Sequence, residues 1–134
     1  MNKFCKPVAA LLLLGVLSGC DNNTLLMDRV VEKDVKGAEA AIHASENIDA
    51  RNSYGWTALT HAARMGHTDM MRLLIENGAD VDAVDDTSWS PLLRAAMKEH
   101  TDAVKLLLEH GADVHHVDNN GWTALHWAAQ RGKG

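Results

Sequence analysis

This 134-residue chain contains eight histidines, the residues in it that are best suited to bind a metal or to catalyse a reaction. The densest group is His110, His115 and His116, with His100 a short way before it. Zinc sites require ligands at short, regular spacings, such as a His-x-x-x-His pair on a helix or a nearby pair of cysteines. Neither pattern occurs here, so we expect no metal site and predict that His115 and His116 face solvent in a loop.

A catalytic set can be drawn from Ser88, Ser90, His100 and Asp102, but no motif holds these residues together. A nucleophilic serine is often found in a Gly-x-Ser-x-Gly turn, and phosphate-binding loops are rich in glycine. The sequence contains neither pattern. We therefore predict a protein that is not an enzyme and needs no cofactor.

The elements that would position these residues follow a repeat of 33 residues, which places Trp56, Trp89 and Trp122 at the same point of each copy. The copies of one motif are the segments 55–59, 88–92 and 121–125, and those of a second motif are 73–81 and 106–114. A fixed period of this length indicates a solenoid, in which each unit buries its apolar face against its neighbours.

Each copy carries signals for two helices. Thr57, Ser90 and Thr123 stand where a first helix begins, and their hydroxyls can accept hydrogen bonds from free backbone N–H groups. A second helix follows a short break and carries an aliphatic run. It ends at Gly78 or Gly111, since glycine is the usual left-handed residue after a helix. A turn-rich connection then leads to the next copy.

These segments resemble the ankyrin repeat. The Thr-Pro-Leu-His signature of that family takes the form of residues 57–60, 90–93 and 123–126, and only His126 supplies its histidine. The resemblance implies an all-α solenoid of helix-turn-helix pairs joined by β-hairpin-like loops. It also implies that His126 forms a hydrogen bond near its own helix cap.

The resemblance covers about residues 25–134. We expect an N-terminal capping repeat at 25–54, complete repeats at 55–87 and 88–120, and a partial repeat at 121–134. The apolar residues Leu25, Leu26, Val30 and Val31 suggest the first helix of the capping repeat, and Ala38, Ala41 and Ile42 the inner face of its second. An unrelated helical hairpin is the alternative for this segment. The last 12 or so residues should fray, because their helix is covered on one side only.

The N-terminus has the pattern of a secretion signal. Lys3 and Lys6 precede the apolar run 8–16, which is too short to span a membrane as a helix. Residues 17–20, Leu-Ser-Gly-Cys, resemble the bacterial lipobox, which implies cleavage after residue 19 and lipidation of Cys20. Residues 20–24 would then be the lipidated cysteine and a short tether. An ordinary signal peptide with a chance cysteine is the alternative.

Lipidation would place the protein at a bacterial cell membrane, on the periplasmic side. Asp21 resembles an inner-membrane retention signal, and the outer membrane is the alternative. The formal net charge of −5 argues against a nucleic-acid partner, because such partners favour a basic surface.

Ankyrin proteins bind partners with their loop tips and the exposed face of the first helices. On this chain the corresponding loop residues are Asp82, Asp85, Asp86, His115, His116, Asn119 and Asn120. The corresponding helix residues are His61, Arg64, Met65, Arg94, Met97, Lys98 and Trp127.

The tryptophans at 56, 89 and 122 permit two interpretations, a ladder for a ligand or packing of each loop against the next repeat, and we favour packing. Trp127 takes the place that His61 and Arg94 have in earlier copies. It can serve as an exposed interface anchor or pack the end of the domain, and both interpretations stay open.

From these features we expect a membrane-anchored lipoprotein that works by protein–protein binding, for instance an immunity protein that neutralises a secreted toxic effector. The alternative is an envelope scaffold or stress-protection factor without a toxin partner. The C-terminal end of the repeats could also bring two copies of the chain together as a homo-oligomer.

Overall fold

The computed structural model describes residues 23–44 and 47–131. This part of the chain contains helices and turns and no strand. Its seven helices are α1 (Leu25–Val31), α2 (Val35–His43), α3 (Ala58–Met65), α4 (Thr68–Glu76), α5 (Pro91–Met97), α6 (Thr101–Glu109) and α7 (Ala124–Gln130). The predicted leader and Cys20 lie outside the described residues.

The helices form the predicted solenoid. Along the chain they pair as α1 with α2, α3 with α4, and α5 with α6. First helices pack side by side in the order α1, α3, α5, α7, and second helices in the order α2, α4, α6. Within the described ranges, none of these helices is long and apolar enough to cross a membrane.

The first helices begin at the predicted caps. The Thr57 hydroxyl accepts from the backbone N–H of Thr60, and the Thr60 hydroxyl in turn accepts from Thr57 N–H, which completes a capping box. Thr123 and His126 form the same box at α7, with the imidazole Nδ1 of His126 as acceptor at 3.1 Å from Thr123 N. The expected hydrogen bond of His126 near its own cap is therefore confirmed.

The core lies between the two rows of helices. On the first helices it includes small residues such as Ala62, Ala63 and Ala95, which let neighbouring helices approach closely. Large buried side chains lie on both rows, such as Leu59 on a first helix and Leu107 on a second one.

The segment before residue 55 contributes to the same core. Leu26 and Val30 of α1 are buried, as are Ala38 and Ala41 of α2, so both expected helices form. Ile42 of α2 is partly buried against the core.

Aspartates join the loops of successive repeats. Asp49 Oδ1 accepts from the backbone N–H of Asp80 at 2.9 Å, and Asp82 Oδ1 accepts from Asp113 N–H at the same distance. Because each bond joins two loop tips, these carboxylates fix the spacing of the loops that project beside α3, α5 and α7.

Candidate functional site

A row of stacked side chains runs across the loop ends of α3, α5 and α7. The guanidinium carbon of Arg94 lies 4.7 Å from the ring centre of Trp56 and 4.8 Å from that of Trp89. The Trp89 ring lies 5.0 Å from Trp127, which lies 4.8 Å from Trp122. We call Trp56, Arg94, Trp89, Trp127 and Trp122 the Trp ladder. All five are half-buried.

The ladder confirms the predicted packing against the next repeat for Trp56 and Trp89, whereas Trp122 contacts His126 and Trp127 of its own repeat. Trp56 contacts a side chain from α5 and Trp89 one from α7. It also gives Trp127 a definite place, between the rings of Trp89 and Trp122. Trp127 therefore packs against both rings while keeping part of its surface exposed.

Three helix residues at the same repeat position each hold a polar loop residue. Arg94 Nε donates to Asp85 Oδ2 at 3.1 Å, and Arg94 Nη2 donates to the same oxygen. Trp127 Nε1 donates to Asp118 Oδ2 at 2.8 Å. The third pair is Asn52 with His61, in which Nδ2 of Asn52 lies 3.4 Å from Nε2 of His61.

The same loop residues also shape the turns in front of the ladder. Asp85 Oδ1 accepts from the backbone N–H groups of Thr87 and Trp89, at 2.9 and 3.1 Å. Asn52 and Asp118 make the equivalent pair of bonds in their own loops. In each of the three loops, a single Asn or Asp side chain therefore closes the turn and also contacts the helix residue at the shared repeat position.

This arrangement corrects the expectation that Asp85 is a partner-contacting residue at a loop tip. Its side chain is 0% exposed, because both carboxylate oxygens are engaged by the loop and by Arg94. Asp85 instead holds Arg94 between the two rings and so positions the surface from inside.

Hydrogen bonding keeps both buried loop acids ionised. Burial raises the pKa of the Asp85 carboxyl, but the hydrogen bonds from Arg94, Thr87 and Trp89 outweigh burial and hold it below the usual 3.8. At Asp118 burial likewise raises the pKa, and the bonds from Trp122, Trp127 and Asn120 lower it further than burial raises it. Each acid is therefore an anion at neutral pH.

The other predicted binding residues differ in exposure. His115 is exposed, as expected, whereas His116 is half-buried and places Nε2 2.7 Å from the carbonyl oxygen of Ser88. The expectation that both histidines face solvent is therefore wrong for His116. The remaining exposed residues are Arg64, Asp82, Asp86, Lys98, Asn119 and Asn120, and the half-buried ones are His61, Met65 and Met97.

A cleft of about 390 Å³ opens beside the first rung of the ladder. It is lined by Asn52, Ser53, Tyr54, Trp56, His61, Asp86, Thr87 and Arg94. Tyr54 is 58% exposed, and its ring centre lies 6.2 Å from that of Trp56. Tyr54 is not among the predicted residues, because the residue before Gly55 has no aromatic counterpart in the later copies. An exposed aromatic residue beside a periodic tryptophan is the signal that could have revealed it.

Comparison with known proteins agrees with this geometry. A family profile described as "Ankyrin repeats (3 copies)" matches residues 4–116 and 77–134, which together span most of the chain. The chain belongs to the ankyrin-repeat family. The first match begins ahead of α1 and so includes part of the segment with the pattern of a leader.

A viral protein shares part of these ankyrin repeats. An ankyrin repeat protein of Acanthamoeba polyphaga mimivirus is 37% identical over 60 residues. This alignment covers 45% of the present chain and 8% of the viral one, so the chain corresponds to a small part of that relative.

The last ankyrin helix leaves an apolar groove of about 310 Å³ beside it. Leu125 of α7 is 75% exposed there, whereas Leu92, at the same position of the preceding repeat, is 2% exposed. Leu108 and Val114 also line the groove and are partly exposed. Each earlier first helix is covered by the second helix of its own repeat, and α7 has no such cover within the described residues.

The histidines do not assemble into a metal site in the part of the chain that the structure describes, where no group of three or more His, Cys, Asp or Glu side chains could hold an ion. His100 instead places Nε2 3.0 Å from the carbonyl oxygen of Arg64, in the preceding repeat. Gly66 makes this approach feasible, because a Cβ there would collide with the imidazole ring.

Proposed function

We propose that this protein binds another protein through the surface formed by the Trp ladder, the loop tips beside it and the exposed face of α3, α5 and α7. Ankyrin repeats are protein-binding modules, so protein binding itself follows from the family. The observation that supports this particular surface is the ladder. It presents four tryptophans and an arginine in one continuous, half-exposed row.

The composition of the ladder suits an interface. Trp, Tyr and Arg are the residues that contribute most often to the energetic centres of protein interfaces. Here they are also held in place before a partner arrives, because the buried Asp85 and Asp118 fix Arg94 and Trp127. A surface that is already ordered loses less side-chain entropy on binding.

We further propose that the protein is a lipoprotein, anchored through Cys20 to a bacterial membrane on its periplasmic side. The support is the charged start, the apolar run and the lipobox-like residues 17–20 of the sequence. Metabolic labelling of cells with an alkyne-bearing fatty acid tests this. The full chain should be labelled and Cys20→Ser should not, whereas labelling that persists in Cys20→Ser would contradict lipidation at this site.

Within that setting we propose an immunity role, in which the ladder surface captures a secreted toxic effector at the membrane. An anchored binding surface suits this role, because it would meet an incoming protein where that protein acts. The alternative is an envelope scaffold or stress-protection factor, which would bind resident envelope proteins instead.

The test is capture of partners by the full chain, solubilised from membranes and identified by mass spectrometry. The double variant Tyr54→Ala with Arg64→Ala removes two exposed side chains beside Trp56. Arg72→Ala, on the exposed side of α4, is the matched control. Circular dichroism should show both variants folded.

One secreted protein, captured by the wild type and by Arg72→Ala but lost in the double variant, would support the immunity role. Capture of resident envelope proteins with the same dependence would favour the scaffold. Binding that the double variant leaves unchanged would remove the ladder surface from the proposal.

A further inference from the structure

The chain contains two Asn-Gly pairs, Asn77-Gly78 and Asn120-Gly121, and both asparagines are exposed. An asparagine followed by glycine is chemically labile, because glycine has no Cβ to keep its backbone nitrogen away from the neighbouring side-chain amide. Attack by that nitrogen on the amide carbon converts the asparagine to an acid. The sequence makes the two pairs alike, whereas the structure treats them differently.

The side chain of Asn77 is held by the helix that it ends. Its Nδ2 donates to the Leu73 carbonyl oxygen at 2.8 Å, and the backbone N–H of Gly78 donates to the Ile75 carbonyl oxygen at 3.0 Å. Both bonds are made to the last turn of α4, which has three fully buried side chains. Reaction at Asn77 would therefore require the end of a well-packed helix to open.

The side chain of Asn120 has no hydrogen-bond partner among the described residues. At the same position of the preceding repeat, the Thr87 hydroxyl donates to Asp85 Oδ1 at 2.7 Å. The backbone N–H of Gly121 does have a partner, the Asp118 carbonyl oxygen at 2.9 Å. Only this one-turn bond has to break before the nitrogen can reach the Asn120 amide.

The turn at Asn120 leads directly into α7. This helix has no fully buried residue, and its groove side is open within the described part of the chain. Local opening is easiest where few apolar contacts must be broken. The Gly121 nitrogen should therefore become accessible more often than the Gly78 nitrogen.

We propose that Asn120 is a site of spontaneous deamidation in the folded protein. The Gly121 nitrogen gives its proton to solvent hydroxide and attacks Cγ of Asn120. The new N–Cγ bond forms as the Cγ–Nδ2 bond breaks, and Nδ2 takes a proton from water and leaves as ammonia. Water then opens the succinimide ring at either of its carbonyl carbons, which gives aspartate or isoaspartate at position 120. Each event consumes one water and releases one ammonia.

The two products should affect the ladder surface differently. Aspartate keeps the backbone and adds a negative charge to the loop, whereas isoaspartate also inserts a methylene group into the backbone. Asp118 Oδ1 accepts from the N–H groups of Asn120 and Trp122, at 2.8 and 3.1 Å, on either side of the altered linkage. Isoaspartate cannot keep the geometry of both bonds. Because Asp118 Oδ2 holds Trp127, this product should loosen that end of the ladder.

The test of the modification uses the 134-residue chain, incubated folded at mildly alkaline pH and read by peptide mapping with mass spectrometry. Asn120 should deamidate at least roughly fivefold faster than Asn77, because its turn opens more easily. In urea, where both sites are simply asparagine before glycine, the two rates should agree within about twofold. Asn120→Gln, which keeps an amide but moves it one methylene away, should remove the fast reaction.

A folded chain in which Asn77 reacts as fast as Asn120 would overturn the assignment of the site. A preference for Asn120 that is equally large in urea would overturn its structural cause, and so would the absence of reaction at Asn120 in the folded chain.

The effect on the ladder is tested by comparing the purified isoaspartate form with the variant Asn120→Asp, which has the same charge on a normal backbone. The indole N–H of Trp127 should exchange with solvent roughly threefold or more faster in the isoaspartate form, as followed by NMR. Equal exchange in the two forms would mean that the extra methylene group leaves the bond between Asp118 and Trp127 intact. These experiments need no binding partner, so their outcome is separate from that of the capture experiment.

Discussion

The two carboxylate oxygens of Asp85 have different structural roles. Oδ1 closes the turn before Trp89, and Oδ2 holds the guanidinium group of Arg94 between Trp56 and Trp89. In the preceding repeat Asn52 closes the same turn with a neutral amide oxygen, opposite His61 in place of arginine. The charge of Asp85 is therefore needed for Arg94 and not for the turn.

This difference makes Asp85→Asn an informative variant. Asparagine can keep the turn, as Asn52 shows, but its amide N–H₂ or an uncharged oxygen would face Arg94. We expect the free energy of unfolding to fall by about 2–4 kcal/mol, because a half-buried guanidinium loses its counter-charge. Urea denaturation measures this. Asp86→Asn, at the exposed next position of the same loop, should change stability by less than about 0.5 kcal/mol, and an equal loss there would contradict a special role for Asp85.

The same ion pair predicts a pH dependence. The pKa of Asp85 is lower in the folded protein than its usual 3.8, so folding favours the ionised carboxyl. The resulting stabilisation is complete well above pH 3.8 and is lost as the pH falls from 3.8 through the folded-state pKa. Unfolding followed between pH 6 and pH 2 should show a shallower acid decline in Asp85→Asn than in the wild type. Parallel pH profiles would contradict the contribution of Asp85.

Ser88 occupies a backbone conformation that suits glycine. Its φ of 67° matches the values of 78° and 80° at Gly55 and Gly121, which hold the same repeat position. A side chain with positive φ costs roughly 1–2 kcal/mol. Ser88→Gly should remove this cost. Because glycine also has more entropy in the unfolded chain, the net rise in the free energy of unfolding should be only about 0.5–1 kcal/mol. Ser53→Gly, where φ is not positive, should give no gain, and a gain at both positions would contradict the assignment of strain to Ser88.

At the scale of elements, none of the described helices is long enough to be stable alone. They have seven to nine residues, whereas isolated helices shorter than about 12–15 residues are marginal in water. Their caps help each helix begin, but packing against neighbours has to supply most of the stability. Both rows of helices contribute large buried side chains to that packing, such as Leu59 and Leu93 on first helices and Leu74 and Leu107 on second helices.

Leu107 tests the packing of α6. Its side chain is fully buried, while the next residue, Leu108, is 42% exposed. Leu107→Ala should reduce the free energy of unfolding by about 2–5 kcal/mol, because it removes buried methyl groups and leaves a cavity. Leu108→Ala should cost less than half of that. Similar losses at the two positions in chemical denaturation would mean that the inner face of α6 is assigned wrongly.

At the scale of the whole molecule, much of the fold follows from the sequence. The period of 33 residues and the capping Thr57 and Thr123 are local signals, and they locate the helices without knowledge of tertiary contacts. The contacts of the Trp ladder could not be predicted from the sequence in the same way. A tryptophan at each repeat indicates a packing position, but its contacts depend on the residue that the next repeat places opposite, which is Arg94 in one case and Trp127 in another.

The loop acids show the same limit. Asp82, Asp85 and Asp86 are neighbours in the sequence, and all three suit a turn. Asp82 accepts a hydrogen bond from an adjacent loop, Asp85 is buried and paired with Arg94, and Asp86 lines the cleft. Composition cannot separate these roles, because the direction of each side chain is decided by donors from other repeats.

Among the described helices, α7 has the fewest buried contacts and should be the least stable. One side of α7 packs on α5, and Trp127 ties it to Asp118. Its other side faces the open groove, and α7 has no fully buried residue, whereas five of the seven residues of α5 are buried. Local opening is easiest where few apolar contacts must be broken.

We therefore expect the amides of Ala128 and Ala129 to exchange with solvent at least roughly tenfold faster than those of Ala95 and Ala96. Hydrogen exchange read by NMR measures this in the 134-residue chain, at a concentration where sedimentation shows a monomer. Slow exchange of α7 in a proven monomer would mean that Trp127 and its bond to Asp118 stabilise the helix without cover on the groove side. Slow exchange that develops only as concentration rises would instead show that a second copy covers Leu125.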